Sequence, residues 1–269
     1  MKNGATRSQR LIFYLKYSSF LIPHSSLKRH LPNAVTCINL LFGCFALTAV
    51  FNGHLALGAY FVAAAAVADF FDGLLARALR VSSAIGKDLD SLADMVSFGV
   101  VPGAILFQLL LQTQQVVPPQ GSHFAFVSLG PMQAVPFVAF LVTIFSALRL
   151  AKFNNDTRQT TSFIGLPTPA CTLVVASLPL ILADDRFGMT SIILNPWLLV
   201  GITVLLSGLL VAELPLFALK FKNLRWADNR RRFLFVLAAA GLLLALHATA
   251  VPLVVLLYVL MSVPKSAAR

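Results

Sequence analysis

The sequence predicts an all-α, polytopic membrane protein, and three observations carry that prediction. The 269-residue chain is 58% hydrophobic and only 12% charged, whereas soluble domains carry about 25% charged residues. Eight apolar stretches each approach the roughly 20 residues that a helix needs to cross a bilayer. All of the 21 lysines and arginines except Arg186 fall in the termini, in alternate connections between those stretches or at the helix ends next to those connections, which is typical of a chain threaded repeatedly through a membrane.

The eight stretches divide the chain into three parts. Residues 1–30 form an N-terminal interfacial segment, residues 31–215 a transmembrane core, and residues 216–269 a basic loop followed by a tight helical hairpin around His247 and Thr249. The predicted helices are 34–51, 54–80, 88–112, 132–153, 168–184, 196–213, 232–247 and 249–263. Pro32 is expected to precede the first of them, since proline favours helix starts, and Pro102 is expected to kink the third.

The distribution of basic residues predicts the orientation. Positive residues accumulate at cytoplasmic loops, so both termini are expected in the cytoplasm and the uncharged connection 112–131 outside it. A net charge of +11 would suggest nucleic acid in a soluble protein; here, no nucleic-acid partner is expected, because the charge sits in loops that meet anionic lipid head groups. The three cysteines have neither the number nor the spacing of a disulfide framework or a metal site.

The acidic residues are concentrated in one place. Five of the ten lie between Asp69 and Asp94, within otherwise apolar sequence. An uncompensated carboxylate inside a membrane costs roughly 2.5–3.5 kcal/mol even on lenient scales. On a soluble chain such residues would be surface decoration, but here the cost predicts a bound cation or an aqueous cavity.

The spacing brings the acidic residues together. One stripe of a helix carries positions i, i+3, i+4, i+7 and i+8, which here are Asp69, Asp72, Gly73, Ala76 and Arg77. Asp90 and Asp94 lie at i and i+4 of the next helix, after a turn marked by Ser82, Ser83 and Gly86. Asp88 lies on another face. Two helices joined by so short a link are expected to run antiparallel, so four carboxylates converge near one membrane face.

Convergent carboxylates indicate a particular chemistry. Hard oxygen ligands suit Mg²⁺, Mn²⁺ or Ca²⁺, and two such ions sharing carboxylates stabilise phosphoryl or phosphodiester transfer. The small residues Gly73 and Ala76 leave room for a ligand against the helix, and Arg77 can fork onto a phosphate.

These residues carry a family resemblance. The pattern Asp69-x2-Asp72-Gly73-x2-Ala76-Arg77-x8-Gly86-x3-Asp90-x3-Asp94 resembles the signature of the CDP-alcohol phosphotransferases, integral membrane enzymes with a six-helix core that move a phosphatidyl or related group from a CDP-linked donor to an alcohol. The resemblance implies two divalent ions held by the four aspartates, with Asp94 also as the catalytic base. It implies a donor site formed by Asn33, Thr36, Gly73, Ala76, Arg77 and Gly86, although Asn33 is equally explained as a simple helix cap.

Other segments resemble the bacterial members that use L-serine. These segments are DLDSLADMVSFGVVP, RLAKFN and FIGLPTPA, together with two helices after the core. They imply phosphatidyl transfer from CDP-diacylglycerol to L-serine in the inner membrane of a bacterium, as a step of phospholipid biosynthesis. Arg149 and Ser97 are then candidates for binding the acceptor, since an arginine fork suits the serine carboxylate; Arg149 and Lys152 are equally explained as cytoplasmic anchors.

Several alternatives stay open at this point. The acceptor alcohol is instead glycerol 3-phosphate or an inositol phosphate if the pocket holds further basic groups. Either direct attack or a two-step course through a covalent intermediate is compatible with these residues. A divalent-cation transporter would also use an acidic cluster, although transporters often show an internal repeat, which this sequence lacks. Many family members are homodimers, so the resemblance also implies a homodimer.

Overall fold

The computed structural model describes residues 24–114, 131–155, 163–216 and 226–262. The predicted interfacial segment up to residue 23, most of the connection 112–131 and the basic residues Lys220, Lys222, Arg225, Lys265 and Arg269 lie outside this described part.

The described part is almost entirely helical. Its ten α-helices are α1 (His24–Phe51), α2 (Leu55–Leu79), α3 (Ala84–Asp94), α4 (Val101–Thr113), α5 (Phe140–Asn155), α6 (Thr168–Asp184), α7 (Thr190–Ile193), α8 (Pro196–Val211), α9 (Trp226–Leu246) and α10 (Ala250–Ser262). A π-helical turn (Met95–Val100) joins α3 to α4, and 3-10 turns lie at Pro131–Ala139 and His247–Thr249.

The membrane character of the chain is confirmed. Within the described residues, five helical stretches are long and apolar enough to cross a bilayer: His30–Phe51, Leu55–Leu79, Ala84–Thr113, Ala134–Asn155 and Asn229–Ser262. The apolar helices α6 and α8 are shorter than these. The all-α polytopic fold therefore agrees with the sequence, whereas the number of eight crossings stays a prediction.

The last of these stretches is not one straight helix. His247 has a φ of 49°, in the left-handed region that interrupts a helix. The rings of Phe235 in α9 and Tyr258 in α10 lie 5.7 Å apart between centroids, although 23 residues separate them. The chain therefore folds back at 247–249, and α10 packs against α6.

A tight turn joins α1 to α2. Gly53 adopts a φ of 81° there, which glycine tolerates without strain. At Gly58, the fourth residue of α2, an added Cβ would lie 2.7 Å from Cγ2 of Val50, so glycine allows the two helices to approach closely.

The core surrounds α4. Eight of its residues are buried, among them Ile105, Leu106, Leu109 and Leu110, and it packs against α1, α5, α6 and α8. A helix that is apolar on all sides is buried on all sides, so α4 is the central helix of the bundle. The site described below lies beside the helix that leads into it.

The π-helical turn replaces the simple proline kink that the sequence predicted. Pro102 follows this turn, inside the first turn of α4. Proline has no backbone N–H to donate and clashes with the carbonyl four residues earlier, and a π-bulge is a recognised way to absorb such a break. The turn thus comes immediately after Asp94 and sets the direction in which the helix leaves the acidic cluster.

Two short strands pair at one end of the bundle. β1 (Phe163–Ile164) and β2 (Pro215–Leu216) are antiparallel, with Phe163 opposite Leu216. The adjoining Gly165 has a φ of 79°, and a Cβ there would lie 2.7 Å from the carbonyl oxygen of Leu210. Only glycine fits this position, which ties the entry of α6 to the exit of α8. The sequence had predicted no strand here.

Three predicted helix starts are wrong, and one of them is that of α9, which begins at Trp226 and not at residue 232. α1 begins at His24, so Pro32 lies inside it and Asn33 does not cap it. The third helix begins at Ala84 rather than at residue 88, because Ser83 caps it by accepting a hydrogen bond from the Gly86 amide at 3.0 Å. Asp88 is exposed and lies in the second turn of α3.

Candidate active site

Three carboxylates converge where α2 faces α3. Asp69, Asp72 and Asp90 each offer one oxygen, and these oxygens all lie within 4.8 Å of one another. Asp72 is 5% exposed, and Asp69 and Asp90 are partly buried. The spacing of the acidic stripe and the short turn between the helices therefore bring these three groups together.

Asp94 lies beside this group but is not part of it. Its carboxylate approaches that of Asp69 and accepts a hydrogen bond from Nδ2 of Asn39 at 3.3 Å. One turn of helix separates Asp94 from Asp90. Asp94 thus occupies the deeper end of the acidic site, and a shared role in binding metal stays a prediction.

The cluster has the properties of a cation site. Among the described residues, no lysine or arginine forms an ion pair with any of these four carboxylates. Oδ2 of Asp72 is buried without a hydrogen-bond partner, which is costly for a charged oxygen. Clustered oxygen ligands suit a hard divalent cation, so the residues fit a metal of this kind.

A cavity of about 230 Å³ opens next to the cluster. Helix α1 packs against both α2 and α3, while those two helices diverge around the cavity. The lining residues are Pro32, Asn33, Thr36, Asp72, Gly73, Ala76, Val81, Ser82, Ser83, Gly86, Lys87 and Asp90. Five of the six predicted donor-binding residues are therefore on one surface, together with two of the carboxylates.

The glycines keep this cavity open. A Cβ on Gly86 would lie 2.9 Å from both Oδ1 of Asn33 and Oγ of Ser83, so a larger residue would displace them. The sixth predicted residue, Arg77, does not line the cavity, but its guanidinium lies 3.4 Å from where a Cβ of Gly73 would be. The Arg77 guanidinium therefore lies at the rim of this cavity, where it can contact a ligand bound inside.

Three polar residues that line the cavity were not predicted as part of the donor site. Ser82, Ser83 and Lys87 surround the start of α3, where free backbone N–H groups and the helix dipole favour an anion. The signal was present in the run Ser82-Ser83-x2-Gly86-Lys87, since a serine directly before a helix is a typical cap. Nζ of Lys87 also donates to the carbonyl oxygen of Asn154 at 3.1 Å, so it bridges α3 and α5.

Arg149 lies near Asp94 and does not line the cavity. It is 7% exposed, and its Nε has no hydrogen-bond partner. Asp94, Cys171 of α6 and Tyr258 of α10 are ionisable groups near it, and its guanidinium carbon lies 5.7 Å from the centroid of the Phe153 ring. Such burial is wrong for a membrane anchor, whereas the exposed Lys152 fits that description. Arg149 is therefore an interior cation next to the acidic site.

The second predicted acceptor residue, Ser97, is fully buried in the π-helical turn. Its hydroxyl donates to the backbone carbonyl of Asn39 at 3.1 Å. In this arrangement Ser97 fastens the turn to α1, and a contact with the acceptor stays a prediction. Asn39 was missed, although an asparagine in the middle of an apolar membrane helix is itself a signal of function.

Comparison with known proteins agrees with this geometry. The sequence model of the family described as CDP-alcohol phosphatidyltransferase matches residues 29–208. The chain is 30% identical over 214 residues, covering 77% of this chain and 78% of the other, to the CDP-diacylglycerol–serine O-phosphatidyltransferase of Helicobacter pylori strain J99.

Two further relatives carry the same name. The protein of Bacillus subtilis strain 168 is 29% identical over 175 residues, or 62% of this chain and 87% of the relative. The protein of Saccharomyces cerevisiae strain S288c is 31% identical over 170 residues, or 56% of this chain and 55% of the relative. Because the family match spans most of the chain and includes every residue of the acidic cluster, the protein belongs to the CDP-alcohol phosphatidyltransferase family.

Proposed function

We propose that this protein transfers the phosphatidyl group of CDP-diacylglycerol to L-serine, giving phosphatidylserine and CMP in phospholipid biosynthesis. One observation carries the proposal: three convergent carboxylates border a cavity, in a chain about 30% identical to enzymes named for this reaction. The buried Arg149 next to Asp94 supports an acceptor that carries a carboxylate.

Divalent cations fit the acidic site. Members of the family use divalent metals, and Asp69, Asp72 and Asp90 offer converging oxygens, with Asp94 beside them. Two ions, Mg²⁺ or Mn²⁺ with Ca²⁺ as a further candidate, are proposed from the resemblance. When bound, the metal neutralises charge on the phosphates of the donor and of the leaving CMP.

The donor occupies the cavity between α1, α2 and α3. Gly73, Ala76 and Gly86 give space for the nucleotide against the helices, and Asn33 and Thr36 offer polar contacts from α1. Arg77 forks onto a phosphate oxygen at the rim. The start of α3, with Ser83 and Lys87, adds N–H donors and positive charge for the pyrophosphate.

The acceptor reacts at the deeper end of the site. Asp94 accepts the proton of the serine hydroxyl, which is a poor nucleophile without a base. The freed oxygen forms a bond to the phosphorus next to the diacylglycerol, and the bond from that phosphorus to the CMP oxygen breaks. Arg149 holds the serine carboxylate, so the hydroxyl is presented to the phosphorus in a fixed orientation.

The cellular location of the protein and its orientation in the membrane are proposed from the charge pattern. The protein lies in the inner membrane of a bacterium, with both termini and the active site on the cytoplasmic side, where a CDP-linked donor is available. The basic residues that bind anionic lipids are Lys220, Lys222 and Arg225, which precede α9 in the sequence, and Arg230, Arg231 and Arg232 near its start. Assembly as a homodimer is proposed from the family resemblance.

A direct assay tests the function. Purified protein is incubated with CDP-diacylglycerol, Mg²⁺ or Mn²⁺, and labelled L-serine, glycerol 3-phosphate or an inositol phosphate. Labelled phosphatidylserine and stoichiometric CMP are expected with L-serine alone, and a chelator should stop both. Lipid product with glycerol 3-phosphate and none with L-serine would overturn the choice of acceptor.

A further inference from the structure

Asn39 is a buried polar residue in the middle of α1, at 0% exposure. Its Nδ2 donates to Oδ1 of Asp94 at 3.3 Å, while its own Oδ1 is buried and has no hydrogen-bond partner. An ionised carboxylate only accepts hydrogen bonds, so the amide nitrogen must face Asp94. The amide oxygen is thereby turned away from Asp94 and left without a donor.

The position of Asn39 is held from a second side. Oγ of Ser97 donates to the backbone carbonyl of Asn39 at 3.1 Å, and Ser97 lies three residues after Asp94 in the π-helical turn. Side chain and backbone of Asn39 are therefore both tied to the segment that carries Asp94. Such a double connection keeps the Asp94 carboxylate in one orientation relative to α1.

Two unpaired polar atoms near Asp94, Oδ1 of Asn39 and Nε of Arg149, have complementary properties. Nε of Arg149 is a buried donor without a hydrogen-bond partner, and the Arg149 guanidinium interacts electrostatically with the Asp94 carboxylate. Leaving a buried donor or acceptor unpaired costs free energy, which a ligand recovers when it supplies the missing partner. The site thus lacks one acceptor, at Arg149, and one donor, at Asn39.

We propose that Asn39 positions Asp94 through Nδ2 and recognises the ammonium group of the acceptor through Oδ1. This inference rests on the proposed function. The three polar groups of L-serine then each meet one protein group: the hydroxyl meets Asp94, the carboxylate meets Arg149, and the ammonium meets Asn39. Acceptors without an ammonium group, such as glycerol 3-phosphate, leave the Asn39 oxygen unpaired and are rejected.

The test compares L-serine with 3-hydroxypropionate, which is the same molecule without the ammonium group. In the unaltered full-length protein, the inhibition constant of 3-hydroxypropionate should be at least tenfold higher than the KM for L-serine. Asn39→Leu removes both polar atoms at similar volume, so kcat should fall at least tenfold and the KM for L-serine should rise to within twofold of that inhibition constant. Asn39→Asp keeps an oxygen but loses the donor, so kcat should fall while the preference for L-serine remains.

Controls separate this role from a purely structural one. Metal-dependent binding of CMP should be unchanged in both variants, which shows that the donor site is intact. Cys44→Ala, on the exposed face of the same helix, should leave kcat and KM unchanged. An Asn39→Leu protein that binds CMP and keeps the tenfold preference would overturn the inference, and so would an Asn39→Asp protein with normal kcat. No use of L-serine by the unaltered protein would instead contradict the proposed function.

Discussion

The hydroxyl of Thr172 in α6 lies 2.8 Å from the backbone carbonyl oxygen of Phe98. In an uninterrupted α-helix that oxygen would accept from the amide of residue 102, but Pro102 has no N–H. Thr172 therefore offers a donor from a neighbouring helix, and its single hydroxyl proton is shared between this oxygen and the carbonyl oxygen of Thr168, which lies 2.9 Å away. Thr143 does the same for the carbonyl of Gly99 at 2.9 Å, so the irregular turn after Asp94 is bonded to α5 and α6.

This relationship predicts a loss of stability. Thr172→Val keeps the shape but removes the donor, so the free energy of unfolding should fall by about 1 kcal/mol, with turnover reduced because the turn next to Asp94 loosens. Thermal unfolding in detergent measures the effect. Thr172→Ser should retain most of the stability, and Thr48→Val, which removes an exposed hydroxyl of α1, should have little effect. Equal stability of Thr172→Val and the unaltered protein would contradict the prediction.

Gly86 is predicted to be essential for binding the donor. In Gly86→Ala the new methyl group would lie 2.9 Å from Asn33 Oδ1 and from Ser83 Oγ. These atoms must move, which narrows the cavity and disturbs the cap of α3. The affinity for CMP should fall at least tenfold, measured by titration calorimetry. The matched control is Gly201→Ala in α8, where nothing lies within 4 Å of the added carbon and binding should be unchanged.

The carboxylates are predicted to differ in function. Asp94→Asn removes the proton acceptor, so kcat should fall about 10²–10⁴-fold, while metal-dependent CMP binding persists. Asp90→Asn replaces one of the three convergent carboxylates with a neutral amide, so metal-dependent CMP binding should itself be lost. Turnover and calorimetry on the same preparations separate the two results. Normal turnover in Asp94→Asn would refute its assignment as the base.

Arg149 is predicted to act on the acceptor alone. Arg149→Lys keeps the charge but loses the planar fork that holds a carboxylate at two points. The KM for L-serine should rise about tenfold, and the affinity for CMP should not change. Lys152→Met removes an exposed charge one turn later and should alter neither value. A similar loss of CMP affinity in Arg149→Lys would place Arg149 in the donor site instead.

Local patterns predicted much of this protein. The bounds of α2 and α6 were predicted within one residue, because long apolar runs with clear turn residues leave few alternatives. The stripe from Asp69 to Arg77 was also readable, since positions three and four apart must share a helix face. The predicted start of α1 is wrong, because the sequence indicates a helix start at Pro32, whereas Pro32 lies inside a longer helix.

Other features depend on contacts between distant segments. The pairing of β1 with β2 joins residues about 50 positions apart, and short apolar loops contain no signal for it. The burial of Arg149 likewise required α6 and α10 to pack around it. From the sequence alone, an arginine near a helix end is equally well explained as an anchor at the membrane surface.

By itself, the sequence determined an all-α membrane protein with an acidic site on two consecutive helices, because helical periodicity and the cost of charge in lipid act locally. Only the tertiary structure decided that Asp94 lies beside Asp69, Asp72 and Asp90 and not among them, and that Asn39 reaches Asp94 from α1. The reason is physical: a hydrogen bond between residues 55 positions apart depends on how whole helices pack, and no short-range pattern encodes it.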